Sequence, residues 1–98
     1  MRFSAAAVAA ILDAVHSEAN FLKDNDLVPG IGWSLNRNDD WANAGPSLGF
    51  VERAKVARAA PMQCGDIELY NNLPAELSRK YEEATLDFFD GQLNFRPS

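Results

Sequence analysis

Residues 4–23, "SAAAVAAILDAVHSEANFLK", put Val8, Ile11, Leu12, Val15, Ala19 and Leu22 on one stripe at helical spacing. Ser4 is a good cap for the first free N–H groups, and Phe3 stands at staple distance from Val8. Behind the stripe lie Ala6, Ala10, Asp13 and Ser17, a small rather than strongly charged side that another helix or chain could approach. The spacing therefore predicts one helix from Ser4 to Lys23. "DNDLVPG" ends it, with Asn25 suited to a left-handed cap and Pro29–Gly30 unable to continue the helix. A basic start and an apolar middle also open a secretory signal, but Asp13 places a carboxylate inside the apolar run and favours an ordinary first helix.

The rest of the chain supplies partners for that helix. Ile31, Trp33 and Leu35 alternate with small residues, which predicts a short strand with Trp33 turned inward. "NRNDDWANAGP" is rich in turn formers and carries Trp41, the more exposed of the two tryptophans, although packing inward is the favoured reading for it as well. Residues 48–60 fit two readings. Their Ala, Arg, Lys and Glu content favours helix, while the spacing of Phe50, Ala54 and Val56 leaves a strand open. "GDIELYNN" reads as a strand. Pro74 then opens a helix that keeps Leu73, Leu77, Tyr81, Ala84 and Phe88 on one stripe, with Glu76 and Lys80 in the favourable order, until Asp90–Gly91 stops it. "QLNFR" adds a last short strand. The expected fold is α+β: two or three helices packed on a small antiparallel sheet, in one domain spanning residues 1–98.

Chemistry is harder to find. His16 is the only histidine and stands at the border of the helix stripe, where a partly buried, satisfied ring is the simplest reading. Cys64 is the only cysteine, so no internal disulfide and no cysteine-based metal site can form, and a buried thiol is expected. Asp24 and Asp26 begin like a calcium loop, but Val28 and Gly30 hold later ligand positions and Pro29 the required glycine. Gly30-x-Gly32 lacks a third glycine and a following helix, so it reads as turn chemistry. No serine sits in a nucleophile elbow. No cofactor and no metal is expected.

Charge is the remaining signal. Fourteen acidic against nine basic residues give a net charge of −5, and residues 65–98 hold seven carboxylates against three basic side chains. Such a chain is repelled by phosphate backbones, which argues against direct nucleic-acid binding and favours a basic protein partner. The single cysteine fits a reducing, cytoplasmic compartment, and no run is long and apolar enough for a membrane helix. The expected function is a small acidic, non-catalytic binding or inhibitor module. Its candidate contact residues are Asp39, Asp40 and Trp41 in the loop, and Glu76, Glu82, Glu83 and Asp87 on the acidic C-terminal third. Size and acidity, rather than any motif, match small phage-encoded inhibitors that occupy basic nucleic-acid-binding surfaces. The alternatives are a subunit of a homo-dimer or larger assembly using the alanine side of the first helix, and, least supported, a metal-dependent enzyme built on Asp39, Asp40 and His16.

Overall fold

The computed structural model describes residues 1–35 and 44–96. Two sheets and three helices share one core. A three-stranded sheet has the order β1 (Arg2–Phe3), β6 (Thr85–Phe89), β7 (Gln92–Arg96), with β1 and β6 parallel and β6 and β7 antiparallel. A four-stranded sheet runs β3 (Gly45–Glu52), β2 (Leu27–Ser34), β5 (Ile67–Asn71), β4 (Met62–Cys64). Here β2–β3 and β4–β5 are antiparallel and β2–β5 is parallel. The α+β class stands. The single antiparallel sheet does not: there are two sheets, and each contains one parallel pair.

The first helix forms as its sequence dictates, but it breaks early. α1 covers Ala5–Ser17, and Ser4 caps it by accepting a 3.0 Å hydrogen bond from the Ala7 N–H at its Oγ. Glu18 leaves helical geometry, with φ −108° and ψ 13°, and a separate short helix α2 (Ala19–Asp24) carries Leu22 into the core. The left-handed residue beyond it is Asp26, with φ 52°, rather than Asn25. Pro29 then lies inside β2, where pairing with β5 begins only at Gly30, so on that side the strand is still an edge that tolerates the missing N–H.

Of the two readings left open for residues 48–60 the strand holds at its start, and the expected C-terminal helix gives way to a hairpin. Residues 45–52 pair with β2 along eight register positions, from Leu27↔Glu52 to Ser34↔Gly45. Leu48 and Phe50 both pack against the core, and the helical tendency of the following residues survives only as a 3-10 turn, Arg53–Val56. The alanines, arginines and lysine that favour helix lie at 53–58, after the strand, while Leu48, Phe50 and Val51 suit a half-buried pleated surface paired with β2. The C-terminal helix, expected from Pro74 to Asp90, ends as α3 at Ala75–Lys80. The following segment is a hairpin whose turn residues Asp90 and Gly91 take φ 54° and 78°, the geometry that Asp-Gly favours in a two-residue turn. The final strand forms as expected at Gln92–Arg96.

The core is made where α1 meets both sheets. Ala7, Ile11 and Val15 come from the helix, Ile31 and Leu69 from the larger sheet, and Leu86 from the smaller. Ile11, Ile31, Leu69, Leu86 and Cys64 are the largest fully buried side chains. A second line along α1, formed by Val8, Leu12 and His16, faces the β4–β5 turn. Gly65 there has φ 61°, and a Cβ on it would stand 2.8 Å from Leu12 Cδ1. His16 Nε2 lies 3.9 Å from Asp66 Oδ1 in the same turn, with both side chains more than half exposed.

Candidate partner-binding surfaces

The expected contact residues fall into three groups. Asp39, Asp40 and Trp41 lie outside the described residues. Glu76 stands exposed in the first turn of α3, and Glu82 and Glu83 are exposed in the turn that leads to β6. Asp87 is different: its side chain is only 16% exposed.

Asp87 is a staple inside the fold. Its Oδ1 accepts a 2.5 Å hydrogen bond from the Ser4 hydroxyl and a 2.8 Å bond from the Phe88 N–H, while Oδ2 pairs with Arg96 Nε. Ser4 meanwhile accepts from Ala7, so one carboxylate ties the helix cap, strand β6 and strand β7 together. The Ser4 hydroxyl, the Arg96 guanidinium and the Phe88 N–H hold its carboxyl below the usual aspartate range. Asp87 is therefore withdrawn from the set of free surface carboxylates, and Arg96 with it. Arg96 also lies 4.5 Å over the Phe89 ring.

Of the neighbouring acidic pair, only Glu83 is partly neutralised. Arg2 Nη2 lies 3.6 Å from Glu83 Oε2, and the Met1 ammonium donates a 2.8 Å hydrogen bond to the Glu82 carbonyl. Such exposed pairs contribute roughly 0–1 kcal/mol and are weakened by salt. The Glu82 side chain borders a polar cleft of about 260 Å³ that also takes in Asn71, Ser78, Arg79 and Tyr81. Asn71 fixes one wall, donating from Nδ2 to the Ser78 hydroxyl at 3.0 Å and accepting the Leu73 N–H at 3.0 Å. Tyr81 belongs to a stack of three rings, with centroids 5.9 Å from Trp33 and 4.3 Å from Phe95. Trp33 is thus half-buried against Tyr81 rather than sunk in the centre of the core.

A third surface was not singled out as a pocket by sequence reasoning. An apolar groove of about 150 Å³ opens between α1, β3 and the β6–β7 hairpin, lined by Ala10, Ile11, Ala14, Leu48, Phe88 and Leu93. Ala10, on the small side of the helix, and its neighbour Ala14 both line it, so part of its signal is present in the helix pattern. Phe88, 37% exposed, was instead assigned to a buried helical stripe.

The remaining chemical candidates are placed as follows. Cys64 is fully buried, and burial pushes its thiol pKa up, so the reactive thiolate is scarce at neutral pH. Among the described residues, no three or more His, Cys, Asp and Glu side chains gather as a metal site would require. Among the same residues, no helix is long and apolar enough to cross a membrane. Comparison with family models, curated proteins and solved structures finds no match to this chain.

Proposed function

We propose that this chain is a small acidic, non-catalytic protein-binding module acting in the cytoplasm, and that it works by presenting exposed carboxylates to a basic surface on its partner. The observation that carries the reading is the excess of unneutralised carboxylates. Net charge is −5, and the ion pairs between arginine and carboxylate occupy Arg2, Arg53 and Arg96 with Glu83, Asp26 and Asp87. Glu68, Glu76, Glu82 and Asp90 face solvent beyond those pairs. In the sharpest form, these groups stand where phosphates would lie on a nucleic-acid-binding partner, as a phage-type inhibitor would present them. The field of such a surface steers association and discriminates against acidic partners. The test is capture of partners from a host lysate by immobilised protein, with wild type beside a Glu76→Lys, Glu82→Lys, Glu83→Lys variant. A specific partner lost on charge reversal supports the reading, and a partner retained unchanged refutes it. Asp87 stays native in that variant because it holds the fold.

A second reading, a homo-dimer or a subunit of a larger assembly, draws on the alanine side of α1, where Ala10 and Ala14 remain only partly covered. Sedimentation across a wide concentration range separates the two. A strict monomer removes the homo-oligomer.

A further inference from the structure

We propose that the groove between α1, β3 and the β6–β7 hairpin receives one bulky apolar side chain from a basic segment of a partner protein. This inference deepens the acidic binding-module reading and rests on it, but it names a different surface from Glu76, Glu82 and Glu83.

Shape comes first. Among the described residues the lining of the groove is entirely apolar, and about 150 Å³ is close to the space that an aromatic ring fills. Ala10 and Ala14, one helical turn apart, line it on α1, and their small side chains leave the space open. Phe88 and Leu93 form the opposite wall and are cross-strand partners, so the hairpin fixes that wall rigidly. Ile11, 1% exposed, lies at the bottom, which makes the groove an opening into the core rather than a surface dimple.

Charge selects the occupant. Asp13 precedes Ala14 on α1 and is exposed. Asp90 sits in the turn two residues beyond Phe88 and is exposed too. Neither carboxylate has an ion pair with a cation among the described residues. An apolar slot with exposed carboxylates one residue from Ala14 and two from Phe88, on a chain of net charge −5, favours an apolar anchor flanked by lysine or arginine and opposes an acidic segment. It also opposes a second copy of this chain, which would bring two sets of like charges together.

The test uses the full chain, labelled with nitrogen-15, and a synthetic amphipathic peptide of leucine and lysine with one central phenylalanine. Two companion peptides replace every lysine by glutamate, or the phenylalanine by serine. The expected result is movement of the Ala10, Ala14, Leu48 and Phe88 amide signals with the lysine peptide. The serine peptide binds about tenfold more weakly, and the glutamate peptide does not bind. Ala14→Trp, which fills the slot, removes the response. Asp13→Lys with Asp90→Lys, both on the surface, weakens binding about tenfold without unfolding the protein. Three results overturn the inference: no groove signal moves, the glutamate peptide binds equally well, or sedimentation shows a dimer covering these residues. If signals move only around Glu76, Glu82 and Glu83, the groove assignment fails while the acidic-face reading survives.

Discussion

Replacing Gly65 by alanine tests how α1 is seated, because the consequence can be worked out atom by atom. Gly65 has φ 61°, a conformation that costs an L-residue about 1–2 kcal/mol. The added methyl carbon would also stand 2.8 Å from Leu12 Cδ1 and 3.3 Å from both Leu12 Cδ2 and Val8 Cγ1. Leu12 must swing aside, and Val8 limits where it can go, so crowding adds about 1–2 kcal/mol at the lower end of overpacking costs. The expected loss for Gly65→Ala is about 2–4 kcal/mol. Two other glycines supply controls. Gly91 has φ 78° but nothing within 4 Å of its Cβ position, so Gly91→Ala carries only the conformational cost of about 1–2 kcal/mol. Gly49 lies in β3 without a positive φ and likewise has an open Cβ position, so Gly49→Ala is neutral or gains about 0.5 kcal/mol. Urea denaturation followed by far-ultraviolet circular dichroism reads all three as shifts of midpoint at constant slope. The reasoning fails if Gly65→Ala is no worse than Gly91→Ala, because α1 would then not rest on the β4–β5 turn.

Other perturbations follow from the same contacts. Ile11→Ala and Leu86→Ala each empty a fully buried site and should cost about 2–5 kcal/mol, whereas Phe21→Ser, at a residue 50% exposed, should change the denaturation midpoint little. Asp87→Asn should flatten the acid limb of stability. The folded carboxyl titrates below its unfolded value of about 3.9, so its contribution is present above that pH and is lost as pH falls through the lower folded value. Melting temperature measured from neutral to acid pH should therefore fall more steeply for wild type than for the variant. Cys64 should resist iodoacetamide in the native protein and react fully in denaturant, as mass spectrometry would record; rapid native labelling would contradict its burial.

What could be read from the sequence was mostly local. The Ser4 cap and the Ile11–Val15 stripe appear in the structure because a capped amphipathic helix is encoded within a few residues. The break at Glu18 left no mark in the stripe, since Leu22 keeps its helical spacing in the sequence. The helical readings favoured over 48–52 and expected over 85–89 give way for one cause. The strand state of each depends on a distant partner, β2 for Gly45–Glu52 and β7 with β1 for Thr85–Phe89, whereas the Ala, Arg and Lys that suggested helix in the first lie beyond the strand at 53–58. The second carried a readable warning: Asp90–Gly91, flanked by Leu86, Phe88, Leu93 and Phe95 in alternation, is a hairpin signature. Reading that dipeptide as a helix stop assigned Asp87 to a solvated helical face, when the carboxylate in fact joins Ser4, Phe88 and Arg96. The groove escaped notice for a similar reason. Ala10 belongs to the small face legible in the sequence, but Leu48 and Phe88 reach the groove only through strands, one an open reading and the other within an expected helix.

The account stands or falls on negative surface charge guiding this chain to a basic partner, and association kinetics address that most directly. The rate constant for binding a captured partner should be measured by stopped flow from low to high ionic strength, for wild type and for Glu82→Lys with Glu83→Lys. The account predicts a steep fall with salt and a slower, flatter dependence for the variant. A rate independent of salt and equal in both proteins would contradict it.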